Sequence, residues 1–403
     1  MSETAPQAGL RLLRNAEVYA PQPLGRQHLL LGGGKILWMG VDAPELPGEL
    51  PVESIDLQGR RLIPGLIDGH VHVTGGGGEA GFRTRVPAPM LSRYTRAGVT
   101  SVVGLLGTDD LARSTRELVA AIYALREEGL NAWGYCGGYH LPPTTLTGSV
   151  RGDVVFVEPL IGVGEVAISD HRSSQPTLDE LLRLASEAHV AGLMSGKAGI
   201  LHLHLGDGPR GLEFVRQALE RSELPARVFN PTHVNRRKAL FEEALALARR
   251  GCWIDLTAFP VEDGEDAWSA DEALVRYLDS GAPPERVTIS SDAGGCLPCF
   301  DAHGRVCGMD VGESGALLAC LNAVLARGVA LERALPAFTR NPAQLLRLSG
   351  KGRIEVGADA DLVALDRRGA AHDVFIGGRS HLREGAVVRH GQFETPPRHS
   401  EQF

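Results

Sequence analysis

The sequence predicts an α/β protein: a (β/α)8 TIM-type barrel carrying a small β-sandwich domain built from both termini. Three observations carry that expectation. Across residues 63–349, eight short apolar runs alternate with longer amphipathic ones. Residues 1–62 and 350–403 consist instead of short apolar or alternating runs cut by Gly and Pro. Several of the central runs end in His, Asp or Glu, at the strand ends where such a barrel carries its chemistry.

The elements follow in order. LRLLRNAEVY, HLLLGGGKILWMG and VESIDLQGRRL read as strands of the β module, with Asn15 and Gly32 to Gly34 as turns. GLIDGHVHV opens the barrel, and a helix is expected near residues 86–96. VTSVVGLLG follows as strand two. DDLARSTRELVAAIYALREEG reads as a helix capped by Asp109 or Asp110 and closed by Gly129. NAWGYCGGYH, IGVGEVAIS, GILHLHLG, ARVFNPTHV, CWIDLTAF and RVTISSD supply the remaining strands. Helical runs such as LDELLRLASEAHVAGLM and RKALFEEALALARRG lie between them, and ALLACLNAVLARG and LERALPAFTRNPAQLLRL close the barrel. The order also fits a doubly wound sheet, but eight repeats with polar groups at so many strand ends favour the barrel. GRIEVGADADLVALD, VFIGG and AVVRHG return the chain to the β module.

Composition narrows the function. The 403 residues carry 41 basic and 49 acidic side chains, a net charge of −8, with no long basic run. That argues against a nucleic-acid partner. The longest apolar runs fall well short of the roughly 18–20 residues that cross a bilayer. The opening MSETAPQAGLRLLRNAEVYAP lacks the charged-then-apolar layout of a signal peptide, so a cytoplasmic protein is expected. Six scattered cysteines are expected as reduced thiols.

The polar residues at the strand ends form a pattern. Strand one ends in His70 and His72, strand four carries Glu165, strand five ends in His204, strand six in His233 and strand eight in Asp292. Imidazole and carboxylate suit zinc and similar divalent ions. Six ligands exceed what one tetrahedral ion takes, and suit two ions sharing a carboxylate bridge, here Glu165, and a bridging hydroxide. Taken singly, each histidine has an ordinary core role as its alternative. His202 is expected to be such a core residue, turned away from His204, and His140 and His171 to do no more than orient neighbours.

PGLIDGHVHV, the strand-end histidines, SSDAGG and GRIEVGADADLVALD resemble the amidohydrolase superfamily over essentially the whole chain. Within it, GGGGEAG, VTSVVGLLGTD, GYH, AISDHRS, GDG and PTHVNR are similar to the isoaspartyl (β-aspartyl) dipeptidases. The resemblance implies a metallo-dipeptidase that releases aspartate and an amino acid from a β-aspartyl dipeptide. It implies two divalent ions, zinc first among candidates, and a homo-oligomer, an octamer in the family. His70 and His72 match ligands of the more buried ion, and His204 and His233 those of the second. Asp292 matches the carboxylate that is both ligand and proton shuttle, and Tyr139 the phenol that assists carbonyl polarisation. Glu79, helped by Thr108, matches the receptor of the substrate α-ammonium, and Arg172 and Arg236 match the guanidiniums that hold its carboxylates. The alternatives are a binuclear enzyme acting on cyclic amides or N-acyl amino acids, and a non-catalytic barrel relative.

Two departures stand out. Many members bridge their ions with a carboxylated lysine, where this chain has Glu165. The shorter side chain requires the backbone to come closer, through Gly164 or a local bulge, while Lys197 reads as structural. Cys296 stands where a serine at the substrate amino end is expected. Cys296, Cys299, His303 and Cys307 also space like a small zinc loop, with a substrate-side loop of ordinary thiols as the alternative.

Overall fold

Strands from both ends of the chain pair into one sheet. The protein was analysed as a computed structural model, which describes residues 9–300 and 306–394, the side chains of residues 298–300 and 306–307 excepted. β1 (Leu10–Tyr19), β2 (Pro23–Gly32), β3 (Lys35–Gly40), β4 (Val52–Asp56) and β5 (Arg61–Pro64) come first. Asn15 does not turn the chain. It sits inside β1 with φ 55°, where the pairing with β2 shifts between Leu13 and Ala16, so it forms a bulge. Gly33 and Gly34 make the expected turn.

Eight parallel strands then alternate with helices. They are β6 (Leu66–Val71), β7 (Val99–Gly104), β8 (Asn131–Cys136), β9 (Leu160–Ile168), β10 (Ile200–Leu205), β11 (Phe229–Thr232), β12 (Ile254–Thr257) and β13 (Val287–Ser290). β6 to β11 form one parallel sheet in sequence order, and β12 pairs with β13. Trp253 N–H donates to Phe229 O, linking the pair to β11, and His72 N–H donates to Ala293 O, linking it back to β6. The result is a curled, barrel-like sheet. Most of its strands are buried end to end, as parallel strands covered on both faces require.

The helices are α1 (Leu91–Arg96), α2 (Thr115–Glu128), α3 (Val150–Phe156), α4 (Leu178–Ser195), α5 (Glu213–Arg221), α6 (Lys238–Arg249), α7 (Ala270–Asp279), α8 (Gly315–Ala326), α9 (Leu331–Ala334) and α10 (Arg340–Leu345). α1 begins later than the sequence suggests, because Pro87 and Pro89 hold the preceding residues extended. α2 is capped by Ser114, whose hydroxyl accepts from Glu117 N–H, and not by Asp109 or Asp110. Those two carboxylates are taken by tertiary partners, Asp109 by Arg113 and Arg85 and Asp110 by His140. Gly129 ends α2 in the left-handed conformation, as read. The stretch 331–348 is two short helices joined by a 3₁₀ turn, since Pro336 and Pro342 divide it.

β14 (Cys296–Phe300) and β15 (Val306–Val311) form a hairpin after β13. β16 (Leu362–Leu365), β17 (Ala371–Ile376), β18 (Arg379–Arg383) and β19 (Ala386–Val387) then complete the β module. Its hydrogen-bonded order is β19-β18-β17-β16-β5-β1-β2-β3, with β4 on β1: one continuous nine-stranded sheet. Leu13, Leu29, Ile36, Leu62, Leu362 and Phe375 bury a core of their own there. A separate apolar layer of Ile67, Ile161, Ile200, Trp253 and Leu346 lies toward the N-terminal ends of the central strands. That plug leaves the opposite, C-terminal end for polar chemistry. Among the described residues no helix is long and apolar enough to cross a membrane.

Candidate metal centre and substrate cavity

The six residues expected as ligands meet at the C-terminal ends of the central strands. His70 is the penultimate residue of β6 with His72 just beyond the strand, Glu165 lies within β9, His204 within β10, His233 follows β11 and Asp292 follows β13. Glu165 is central to them. Its carboxylate oxygens lie 3.6 Å from His70 Nε2, 3.5 Å from His72 Nε2, 3.2 Å from His204 Nδ1 and 3.5 Å from His233 Nε2. Asp292 Oδ1 lies 3.3 Å from His70 Nε2 and 3.1 Å from His72 Nε2.

These spacings fit ligands around ions. Two donors on a tetrahedral zinc at about 2.0–2.1 Å stand roughly 3.3 Å apart. His70, His72 and Glu165 can share one ion, His70, His233 and Asp292 another arrangement, and Glu165, His204 and His233 a further one. His70 Nε2 and Asp292 Oδ1 are buried without a hydrogen-bond partner among the described residues. Buried polar atoms without partners are uncommon, and here they point at one small volume. The donor set therefore fits divalent metal.

The outer nitrogens explain why the lone pairs face inward. Asn230 Oδ1 accepts from His202 Nδ1 at 2.7 Å, and His202 Nε2 lies 2.8 Å from His70 Nδ1. A neutral His202 that donates through Nδ1 accepts through Nε2, so His70 donates through Nδ1 and keeps Nε2 for the centre. His202 is thus no bystander. Residues two apart on a strand share a face, so it points inward with His204, contrary to the sequence expectation. His233 Nδ1 lies 2.8 Å from the Thr257 hydroxyl. His204 is reversed, with Nδ1 toward Glu165 and Nε2 3.0 Å from Asp170 Oδ2.

The buried charges shift one another. Burial alone would raise Glu165, but His70, His204 and His233 hold it well below the ordinary carboxylate range. Burial raises Asp292 likewise, and His70 and His72 outweigh it, so it too is held down. Burial lowers His70, but Glu165 and then Asp292 push it up to about 9. Burial, then His70, holds His202 down at about 3. Beneath the centre, burial raises Asp68 to about 7 against bonds from Ser291 and the His70 backbone N–H.

Glu165 reaches the centre through a bulge. Opposite Leu201 and Leu203 of β10, β9 runs from Val163 to Val166, one residue too many, with Gly164 and Glu165 between. A side chain at Gly164 would stand 2.7 Å from His202 Cβ and 2.8 Å from its carbonyl oxygen, so only glycine permits the approach. Lys197 is remote from this chemistry and donates to Val154 O and Val157 O at 2.7 and 2.8 Å.

A cavity of about 730 Å³ opens over the ring, lined by His72, Glu79, Thr108, Tyr139, Arg172 and Arg236 among others. Glu79 arrives on the glycine loop. A side chain at Gly75 would lie 1.9 Å from Val86 O, and at Gly77 2.4 Å from Thr84 O, so the loop packs against backbone. Buried Arg113 braces it by donating to Thr74 O, Val86 O and Asp109. Arg172 Nη1 is 3.3 Å from Glu79 Oε1. Arg236 pairs with Asp207 at 2.9 Å and donates to Leu205 O. The Tyr139 hydroxyl lies 2.8 Å from His204 Nδ1, and burial raises it well above the ordinary phenol range.

Cys296 lines the same cavity, its sulfur 3.4 Å from Met309 Sδ. His303 and the side chains of Cys299 and Cys307 lie outside the described residues, so the suggested zinc loop does too. His140 joins loops, with Nδ1 3.0 Å from Asp110 and Nε2 3.1 Å from Arg172 O, while the His171 side chain is exposed. The sequence reading missed Asp68, Asp170, Asn230 and Thr257. Asp68 was findable, because it stands two residues before His70 and so shares its face.

Residues 61–381 match the amidohydrolase family, and the chain belongs to that family. Over 94% of its length it is 41% identical to the β-aspartyl dipeptidase of Fervidobacterium islandicum AW-1 in complex with a β-Asp-Leu dipeptide, covering 97% of that chain with a TM-score of 0.89. It is 25% identical to an imidazolonepropionase of Ruegeria sp. (strain TM1040), over 84% of this chain and 86% of that protein. It is 27% identical to an allantoinase of Deinococcus radiodurans, over 96% and 97% respectively.

Proposed function

We propose that the chain is a metal-dependent dipeptidase that hydrolyses β-aspartyl dipeptides to aspartate and an amino acid. One observation carries the reading: the Glu79–Arg172 pair, with Arg236 nearby, stands in the same cavity as the ring of imidazoles and carboxylates. The aspartyl end of the substrate bears an ammonium and a carboxylate on one carbon. The ammonium replaces Arg172 at Glu79 and the carboxylate replaces Glu79 at Arg172, so one ion pair becomes two. Arg236 exchanges its exposed partner Asp207 for a second substrate carboxylate. The 41% identity to a β-aspartyl dipeptidase supports the same substrate class.

His70 and His72 would hold one ion and His204 and His233 the other, with Glu165 between them and Asp292 on the first. Two divalent ions held there would supply hydroxide at neutral pH and Lewis acidity toward a carbonyl. Asp292 takes the proton of the attacking water and passes it to the leaving amine. Tyr139, kept protonated by burial, donates to the carbonyl oxygen as its charge develops. Glu79 and Thr108 orient the amino end, and Cys296 shapes the wall beside it.

We read the eight central strands as a complete (β/α)8 barrel, residues 63–349, and the nine-stranded module as a β-sandwich domain from residues 1–62 and 350–403. Zinc and a homo-octamer are what the sequence resemblance implies, and a cytoplasmic location is proposed with them. Elemental analysis, light scattering and cell fractionation test them. Two metal ions per active chain are expected, and full activity with one removes the binuclear reading.

The competing reading is hydrolysis of a cyclic amide or N-acyl amino acid, which the more distant relatives' names suggest. A ring-opening enzyme has no use for an ammonium receptor such as Glu79. Purified protein incubated with β-Asp dipeptides, α-Asp dipeptides and hydantoins decides between them. Aspartate release from the β-linked set alone is expected, and turnover of the cyclic substrates alone overturns the proposal.

A further inference from the structure

Asp170 follows β9 in the AISDHRS segment, and its side chain is 3% exposed. Every lone-pair direction of its carboxylate is engaged. Oδ1 accepts from the Arg172 backbone N–H at 2.8 Å and from Arg172 Nε at 3.1 Å. Oδ2 accepts from Arg172 Nη2 at 2.7 Å and from His204 Nε2 at 3.0 Å. One carboxylate thus touches a guanidinium of the substrate cavity and an imidazole of the metal centre.

The two contacts have separate consequences. Ionised Asp170 is an acceptor only, so His204 must carry its proton on Nε2 and keep the Nδ1 lone pair for the centre. Arg172 Nη2 also lies 3.3 Å from His204 Nε2, but two donors cannot bond to each other, and Oδ2 serves both. On the arginine side, the Nε and Nη2 edge is clamped by Asp170. Only Nη1 is left to face Glu79 and the cavity.

We infer that Asp170 is a positioning residue that sets metal affinity and substrate affinity together, by fixing the His204 tautomer and the Arg172 fork with the same carboxylate. The substrate arm rests on the β-aspartyl dipeptidase reading, and the metal arm does not. Replacing the carboxylate by an amide, as in Asp170→Asn, removes one support or the other. An amide that accepts from Arg172 would turn its NH2 toward the His204 donor. An amide that accepts from His204 would turn it toward Arg172.

The test compares Asp170→Asn with Arg172→Lys. Both proteins are dialysed against graded chelator, their metal is measured, and KM and kcat are determined for β-Asp-Leu. Asp170→Asn is expected to hold its metal about 10–100-fold more weakly, and to raise KM about tenfold or more. Arg172→Lys is expected to raise KM while retaining metal as the wild type does. The ¹⁵N shifts of His204 report the tautomer directly: Nε2 protonated in the wild type, a mixture in Asp170→Asn. Circular dichroism of the same samples shows that the variant compared is folded. If Asp170→Asn fails to fold, Asp170→Glu keeps the charge but misplaces it by one methylene, and both readouts should still shift. Wild-type metal retention and an unchanged His204 tautomer in a folded Asp170 variant would overturn the inference. If the wild type fails to cleave β-Asp-Leu, the functional reading falls while the metal and tautomer arms still decide the role of Asp170.

Discussion

Asp292→Asn offers the cleanest test of the chemistry, because the backbone tolerates it. Asp292 has φ 54°, in the left-handed region, and its Oδ1 lies 3.1 Å from His72 Nε2 and 3.3 Å from His70 Nε2. Asn enters that region almost as readily as Asp, while a residue without a short polar side chain costs about 1–2 kcal/mol there. Asn also keeps the volume and loses only the charge and the ability to take a proton. A general acid–base group contributes roughly 10²–10⁴-fold, or about 3–5 kcal/mol of barrier. Contact with the His70 and His72 imidazoles places Asp292 toward the upper part of that range. We expect kcat on β-Asp-Leu to fall by about 10³–10⁴-fold, KM to stay within a few-fold, and the melting temperature to hold. Asp292→Ala should lose activity equally and stability in addition. Turnover within tenfold of the wild type, measured at full metal content, would refute the proton-shuttle assignment.

Four further outcomes follow from named groups. Glu165→Gln keeps the shape but removes the charge that faces all four imidazoles, so purified protein should lose metal or most turnover; full activity at full metal content would end its assignment as bridge. Wild-type activity should also be indifferent to added bicarbonate, since Lys197 donates to carbonyls far from the ring and no lysine needs carboxylating. Glu79→Gln should lower kcat/KM for β-Asp dipeptides, with N-acetyl-β-Asp and α-Asp dipeptides poor substrates even for the wild type; efficient cleavage of the N-acetylated peptides would show that Glu79 receives no ammonium, and of the α-linked ones that the substrate class is wrong. His381 is fully buried with neither ring nitrogen partnered among the described residues, and burial, then Arg389 and Arg379, lowers it from 6.5 to about 3. The unfolded chain therefore binds a proton that the folded one refuses, and stability present above pH 6.5 is lost as pH falls toward 3. At pH 5 the loss is on the order of 2 kcal/mol, which His381→Phe should relieve in urea melts at pH 5 and 7. Equal acid sensitivity of the two proteins would remove His381 from the account.

The parts of the protein written in short-range pattern were legible without coordinates. Alternation of apolar and amphipathic runs locates the eight strands, because a strand covered on both faces must be apolar throughout. The period of two put His70 and His72 on one face, and the ends of the strands supplied His204, His233 and Asp292. The bulge needed to bring Glu165 inward was likewise expected from the length of its side chain. Local pattern failed where a distant group competes for a residue. Asp109 and Asp110 look like helix caps, yet Arg113, Arg85 and His140 claim them, and Ser114 caps α2 instead. His202 could be turned the right way by spacing, but its partners could not be read, since Asn230 and His70 lie 28 and 132 residues away. The pairing of Glu79 with Arg172 spans 93 residues, and the link from Asp170 to His204 spans 34. A sequence lists which groups can donate, accept or ligate. Which nitrogen carries the proton and which guanidinium edge faces substrate depend on partners brought together only by closure of the parallel sheet. The inventory of imidazoles and carboxylates was therefore determined by the sequence, and the tautomers and ion pairs that arrange it were decided by the tertiary structure.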